Sequence, residues 1–393
     1  MTPTTTSPAT DHTPRTGQRA VVAGVVGGGF MGEVHTRAIR AAGATVAGVA
    51  SSSAASSGRA SARLGVPAFA STEQLLLDPD VDVVHICTPN TTHAELALSA
   101  LAAGKHVVCE KPIATTVDDA RRIQRVAAET GLTVAVPFVY RFHPMVREAA
   151  DRVRLGGLGA VHSVQACYLQ DWLLEPGDDD WRVDQQLGGP SRAFADIGSH
   201  LCDLVEFVLG ERIGRLSART RTVLPQRGGQ PVLTEDLVAL LFETASGTLG
   251  TAMVSQMAAG RKNRLALEVM GTEASIAFDQ EAPDTLWLGQ RRESRTLVRD
   301  AATLSEDAAR LAIVPVGHPM GYQDAFNAFV RDAYLTLGGG EAHGLPTAAD
   351  GVRAAVLTSA VLTSASAGGE WADVSSPDTT AVEPTVHRAA SPT

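Results

Sequence analysis

The sequence predicts an α/β chain in two parts: a doubly wound parallel sheet, then an α+β domain with a large, mostly antiparallel, open-faced sheet. Three observations carry this. The chain has 393 residues, too many for one ordinary core. Up to Tyr140, short apolar runs alternate with helical stretches, the pattern of βαβ units. Beyond Pro144 the apolar runs alternate more loosely and are joined by glycine-bearing turns such as Ala245-Ser246-Gly247, as in antiparallel sheets. We expect a disordered arm over 1–18, the first domain over 19–140, the second over 141–373 and a disordered tail over 374–393.

Composition narrows the function. With 44% apolar and 19% charged residues the chain reads as soluble and globular. It carries 33 basic against 43 acidic residues and no basic stripe, which argues against nucleic acid as a partner. No apolar run reaches transmembrane length. The Thr/Pro/Ser-rich start has no hydrophobic segment, so a cytoplasmic location is expected. Cys87, Cys109, Cys167 and Cys202 are isolated, without the spacing of a zinc site or a disulfide framework, so no metal is expected.

The first strand, 19–26, runs into Gly27-Gly28-Gly29-Phe30-Met31-Gly32, which fits G-x-G-x-x-G. Gly27 permits the tight turn, Gly29 lets the backbone approach a pyrophosphate, and Gly32 allows helix and strand to pack closely. The helix over 31–42, with Phe30 and Met31 at its start, offers its amides and dipole to the phosphates. Strand 45–50 ends in Ser51-Ser52-Ser53, where an acid would hold the ribose of NAD. No acidic residue occurs over 34–72, and Arg59 and Arg63 follow. Ser51 and Ser52 therefore suit NAD or NADP, with a lean to NADP.

An extended piece (67–69), a helix (72–77) and a strand (81–87) lead to Thr88-Pro89-Asn90-Thr91-Thr92-His93. This turn should lie over the cofactor, with Asn90 on the nicotinamide ribose and Thr88, Pro89 and His93 beside it. A plain proline turn is the alternative. Helix 93–103 ends at Gly104, and strand 106–109 delivers Glu110-Lys111-Pro112. Pro112 biases Lys111 towards extended angles. Its side chain then enters the crevice above the strand ends, where open parallel sheets bind ligands. A salt-bridged surface lysine is the competing reading. Helix 117–130 and strand 133–139 complete six strands.

In the second half, helix 145–155 precedes strands at 158–169, 237–242, 248–257 and 265–271, and helices at 322–337 and 348–365 close the domain. A helix opening near Asp196 places Asp196 and His200 at i and i+4, on one face. Histidine carries protons at neutral pH, and a carboxylate beside it orients it. A helix cap and a core histidine are the alternative. Gly188-Gly189 suits close approach to a ligand. Tyr168, Gln170, Trp172, Trp181 and Arg182 suit stacking on a sugar ring, or a packed surface loop.

Taken together, Gly27–Gly32 with His35, Thr88-Pro89-Asn90 with His93, Gly104-Lys105-His106 into Glu110-Lys111-Pro112, and Asp196-x-Gly198 with His200 resemble the Gfo/Idh/MocA oxidoreductases. The resemblance covers nearly the whole chain between its ends. It implies a Rossmann domain, a sheet domain through which dimers or tetramers form, and a Lys–Asp–His catalytic set at Lys111, Asp196 and His200. Tyr168–Trp172 with Trp181-Arg182 look most like the branch acting on levoglucosan, scyllo-inositol and related pyranoses or cyclitols. One departure is Gly188-Gly189-Pro190, where many members carry a third glycine. The expected activity is NAD(P)-dependent hydride transfer with a secondary alcohol. The rivals are a redox-neutral NAD-dependent glycosidase and a non-catalytic NAD(P)-binding regulator.

Overall fold

The computed structural model describes residues 19–374. The expected N-terminal arm and the tail from 375 onward lie outside the described residues. Val374, placed at the start of that tail, is buried and donates its N–H to Gly214.

Ten elements build the first layer. They are β1 (Val22–Val26), α1 (Phe30–Ala41), β2 (Thr45–Ala50), α2 (Ala54–Leu64), α3 (Thr72–Leu77), β3 (Val83–Ile86), α4 (His93–Ala102), β4 (His106–Cys109), α5 (Val117–Thr130) and β5 (Val134–Ala135). The strands pair in parallel as a five-stranded sheet, β2-β1-β3-β4-β5. Val25, Val83, Val84, Ile86, Val107 and Val108 are fully buried, as parallel strands covered on both faces must be. Strand order reverses between β1 and β3. The loops leaving these two strands therefore diverge and open a crevice.

Five strands form where six are expected. Residues 67–69 contribute only a bridge, Val49 to Ala68. The run 133–139 narrows to two residues because Pro137 has no N–H to donate to a ladder. Val136 instead gives its N–H to Pro346 at 3.0 Å, and Val139–Phe142 folds into a 3₁₀ turn.

The second layer starts with α6 (Pro144–Arg154), β6 (Val161–Leu169), α7 (Gln185–Gly188), α8 (Ser199–Leu209) and β7 (Ile213–Arg221). A small hairpin, β8 (Gln226–Arg227) and β9 (Gln230–Pro231), stands apart. The chain continues through β10 (Leu237–Thr244), β11 (Leu249–Ser255), β12 (Arg264–Gly271), β13 (Ala274–Asp279), β14 (Thr285–Gln290) and β15 (Ser294–Val298). It ends with α9 (Glu306–Ala309), α10 (Tyr322–Leu337), α11 (Ala348–Ser366) and β16 (Ala372–Asp373). The nine-stranded sheet runs β15-β14-β13-β12-β6-β11-β10-β7-β16, antiparallel throughout except for the β6–β11 pair.

Burial alternates along its strands. Val238, Leu240 and Phe242 of β10 turn inward onto Leu201 and Leu204 of α8 and Leu357 and Val361 of α11. Leu241, Leu249, Met253 and Trp287 remain exposed on the other face. The last two helices, expected to close this domain, pack on the first layer too, and α11 spans both. α10 lies on α1, and α11 lies on α5 as well as on β7. An apolar helical stripe dictates that a face is buried, not which sheet buries it.

Candidate active site

The crevice between β1 and β3 is built for close backbone approach. Gly27 has φ +101°, and a Cβ there would stand 2.4 Å from the Cys87 carbonyl oxygen. A Cβ on Gly32 would strike the Gly27 carbonyl oxygen at 2.2 Å, whereas one on Gly29 would meet nothing within 4 Å. No side chain caps the start of α1, so its first amides face open space beside Gly29. These residues fit a dinucleotide: an uncapped helix N-terminus behind an unobstructed glycine binds phosphate. Phe30 is exposed at the lip, and Met31 lines the cavity below.

At the end of β2, Ser53 and Ser56 form the capping box of α2, and the Ser57 hydroxyl accepts the Ser51 N–H at 2.9 Å. Ser52 is exposed, with its hydroxyl 3.3 Å from that of Ser56. The Arg63 guanidinium reaches to 3.9 Å from a Cβ placed on Gly28, so a cation lies beside the glycine loop.

Two residues expected on the cofactor face elsewhere. The Asn90 side chain donates to the Gly188 carbonyl at 2.9 Å and is buried. His93 is buried between the Thr88 and Pro112 carbonyls, at 2.8 Å from each, and so staples the turn after β3 to the turn after β4. Thr88 and Pro89 stay half-buried beside the crevice.

Lys111, Asp196 and His200 meet in one cavity of about 550 Å³ at the end of β4. Lys111 Nζ donates to Asp196 Oδ1 at 2.7 Å and to the Asp196 carbonyl at 2.9 Å. Gln256 donates to Asp196 Oδ2 at 2.9 Å, and Arg182 Nε lies 3.4 Å from Oδ1. Burial alone would raise the Asp196 carboxyl, but the Lys111 and Arg182 charges reverse this and hold it well below the usual carboxylate range. The segment carrying Asp196 is a π-helical turn, Phe194–Gly198, that runs directly into α8. Such turns are rare and cluster at functional sites.

His200 is buried against the edges of Phe138 and Tyr140. Burial, then the Lys111 charge, lowers its pKa to about 3, so the imidazole is uncharged at neutral pH. Asp196 makes no hydrogen bond to His200; its carboxylate is engaged by Lys111, Gln256 and Arg182 instead. The Nδ1 of His200 is buried without a protein partner.

The far wall is a hydrogen-bonded polar network. Tyr140 and Tyr168 share a hydroxyl contact, and Tyr168 and Gln170 both donate to Asn263 at 2.8 Å. Trp172 donates to Gln170 at 2.7 Å. Arg182 stacks on Trp181, 4.4 Å from the ring centre. Trp181 itself lines a neighbouring cleft rather than this cavity. Gly188 and Gly189 are needed for packing: added Cβ atoms would hit the Arg182 carbonyl at 2.6 Å and the Thr115 side chain at 2.8 Å. Tyr140, Gln256, Asn263 and Tyr322 also contribute to this centre, unforeseen from sequence. Tyr140 could have been found, since it follows the last strand as Lys111 follows β4. Among the described residues no cluster able to hold a metal occurs, and no helix is long and apolar enough to cross a membrane.

Comparison with known proteins follows this geometry. A family model described as "Oxidoreductase family, NAD-binding Rossmann fold" matches residues 21–138, and that of the Gfo/Idh/MocA C-terminal domain matches 146–277. Levoglucosan dehydrogenase of Pseudarthrobacter phenanthrenivorans is 30% identical over 89% of this chain and 97% of its own. A structure of levoglucosan dehydrogenase with NADH and levoglucosan superposes with a TM-score of 0.84 at 30% identity, covering 90% of this chain and 99% of that one. An inositol dehydrogenase homologue from Azotobacter vinelandii, with NADH and myo-inositol, gives 0.82 at 26% identity over 90% and 98% of the chains.

Proposed function

The chain belongs to the Gfo/Idh/MocA family of oxidoreductases, and on that premise we propose that it is an NAD(P)-dependent dehydrogenase of a secondary alcohol in a pyranose sugar or cyclitol. The observation that carries this reading is the convergence of Lys111, Asp196 and His200 on one cavity at the mouth of the dinucleotide crevice. The relatives named above, with levoglucosan and myo-inositol in their solved complexes, support the substrate class.

When bound, the nicotinamide supplies the hydride acceptor. Gly27, Gly29, Gly32 and the start of α1 would hold its pyrophosphate, and Ser51 and Ser52 its ribose. His200, uncharged, takes the hydroxyl proton of the substrate. Lys111 donates a hydrogen bond to the same oxygen and stabilises the negative charge that develops there. Asp196 fixes the ammonium through two bonds, one from its carboxylate and one from its backbone. Tyr168, Gln170 and Trp172 face the remaining hydroxyls and carbons of the ring, with Arg182 held over them by its aromatic stack. We divide the chain near residue 140 into a coenzyme-binding and a substrate-binding domain. We also read the protein as a cytoplasmic homodimer or homotetramer. The apolar side chains on the open sheet face and the four free cysteines support this.

The test is a panel of pyranoses and cyclitols with NAD and with NADP, followed by the ultraviolet absorbance of the reduced coenzyme. Reduction with at least one member of the panel is expected. No reduction with any, while coenzyme binds, overturns the reading.

A further inference from the structure

Behind the catalytic cavity runs a second chain of polar groups, entirely buried. His35 of α1, His85 of β3, Glu110 after β4 and Tyr334 of α10 all lie below one-tenth exposure. The Tyr334 hydroxyl is 2.7 Å from His85 Nε2, His85 Nδ1 is 2.7 Å from His35 Nδ1, and His35 Nε2 is 3.0 Å from Glu110 Oε1. The other oxygen, Glu110 Oε2, accepts the Lys111 N–H at 3.2 Å, and Glu110 itself lines the cavity. The chain thus joins the lysine turn to a helix contributed from the far end of the sequence.

Proton counting gives the chain one direction. An ionised carboxylate only accepts, so His35 donates from Nε2. In a neutral His35 the Nδ1 accepts, so His85 donates from Nδ1, and the free Nε2 of His85 accepts from the Tyr334 hydroxyl. The reverse order would leave the Tyr334 proton without an acceptor, since its hydroxyl has no other partner among the described residues. Burial, then His35, pushes His85 well below its ordinary value, and burial pushes Tyr334 up, in keeping with a neutral ring and an intact phenol. Burial would raise Glu110, but the hydrogen bond from His35, with the Lys111 charge beyond it, holds it below the ordinary value. The groups facing Glu110 are His35, Lys111, Arg182, His200, His93, Tyr322 and the buried thiols Cys87 and Cys109. Those facing His200 are Lys111, Glu110 and Asp196, with Arg182 behind Asp196.

We propose that Tyr334, His85 and His35 form a buried positioning relay that holds the Glu110 carboxylate ionised against the catalytic cavity, where it supports the basicity of His200. A carboxylate there favours the imidazolium that forms when His200 takes a proton, opposing the Lys111 charge. The three relay residues touch neither substrate nor coenzyme; they act through Glu110. The proposal rests on the dehydrogenase reading for its kinetic consequence, but not for its geometry.

Two experiments test it. The first is kinetic. With Glu110 ionised, wild-type kcat/KM stays level down to pH 5. In His35→Leu the carboxylate loses its donor and its pKa rises into the working range, so an acid limb emerges, with about a tenfold loss at pH 5 relative to pH 8. His35→Gln, whose amide can donate to Glu110, restores the level profile. Glu110→Gln combined with His35→Leu is slow but has no limb, because the titrating group is gone. A merely structural role would lower melting temperature and rate without moving the profile; a His35→Leu profile parallel to wild type overturns the proposal. The second is independent of turnover. Nitrogen-15 NMR of the histidine rings in the full chain should show His35 as the Nε2–H tautomer and His85 as the Nδ1–H tautomer, and the opposite pair overturns the proposal. If the wild type reduces no coenzyme, the dehydrogenase reading fails while the tautomers still decide the relay.

Discussion

Lys111 and Asp196 each satisfy what burial would otherwise make costly. Their side chains are only 11% and 13% exposed. Removing one member of such a pair leaves an unpaired buried charge, which costs about 3–5 kcal/mol. Asp196→Ala should therefore lower the melting temperature clearly in a thermal scan, whereas Asp196→Asn, whose carbonyl oxygen can still accept from Lys111 although its NH2 cannot accept from Gln256, should lower it less. Melting temperatures equal to that of the wild type in both variants would remove the ion pair from the account. His200 gives the pH prediction. Its pKa in the folded protein is lowered to about 3, so the ring is in its proton-accepting form at every pH above that value. kcat/KM for alcohol oxidation should thus show no limb near 6.5, the unperturbed histidine value. A half-maximal point near 6.5 would contradict the site's electrostatics. The convergence of Lys111, Asp196 and His200 on one cavity was legible because their chemistry is contiguous in sequence: a carboxylate, an ammonium and a proline after an apolar run, and an acid and imidazole at helical spacing. Gln256, Asn263 and Tyr322 were not, because each is an ordinary residue until the fold brings it to the cavity.

Turns decide ligand chemistry at the next scale up. Gly27 and Gly32 could be read correctly because each answers a steric demand made by its immediate neighbours, Cys87 and the loop itself, while Gly29 borders open space. Asn90 and His93 could not, although they sit in the same kind of turn. A polar side chain at a strand end can turn to a ligand or to a backbone carbonyl. Here Gly188 and Pro112 supply the carbonyls, and Gly188 lies 98 residues away in sequence. The β2–α2 turn is where we propose that the coenzyme preference is set. It has exposed Ser52, no carboxylate and the Arg63 guanidinium beside Gly28. Ser52→Asp should lower kcat/KM with NADP by at least about tenfold, from repulsion of a 2′-phosphate, and change the NAD value much less. Equal losses with both coenzymes would move the ribose site away from this turn.

The whole molecule joins two sheets through helices that belong to neither alone. Alternation along each strand was enough to expect a half-open antiparallel sheet, whereas the partners of α10 and α11 depend on contacts that no local pattern encodes. Packing α10 on α1 and α11 on α5 fixes the lysine turn of one sheet relative to the π-turn beside the other. The outward face of the large sheet carries Leu241, Leu249, Met253 and Trp287. Exposed apolar side chains on one sheet face support the proposed interface there. If the proposed oligomer forms through this face, Met253→Glu with Leu241→Glu should give a monomer in light scattering while leaving helix content intact; an unchanged mass would place the interface elsewhere.

The central claim is that an amine, a carboxylate and an imidazole serve one reacting hydroxyl. It is tested most directly by the turnover of Lys111→Met, measured as coenzyme reduction at saturating coenzyme, with coenzyme affinity measured separately by fluorescence titration. The account predicts a loss of about a hundredfold or more with coenzyme affinity retained. Turnover near that of the wild type would contradict it.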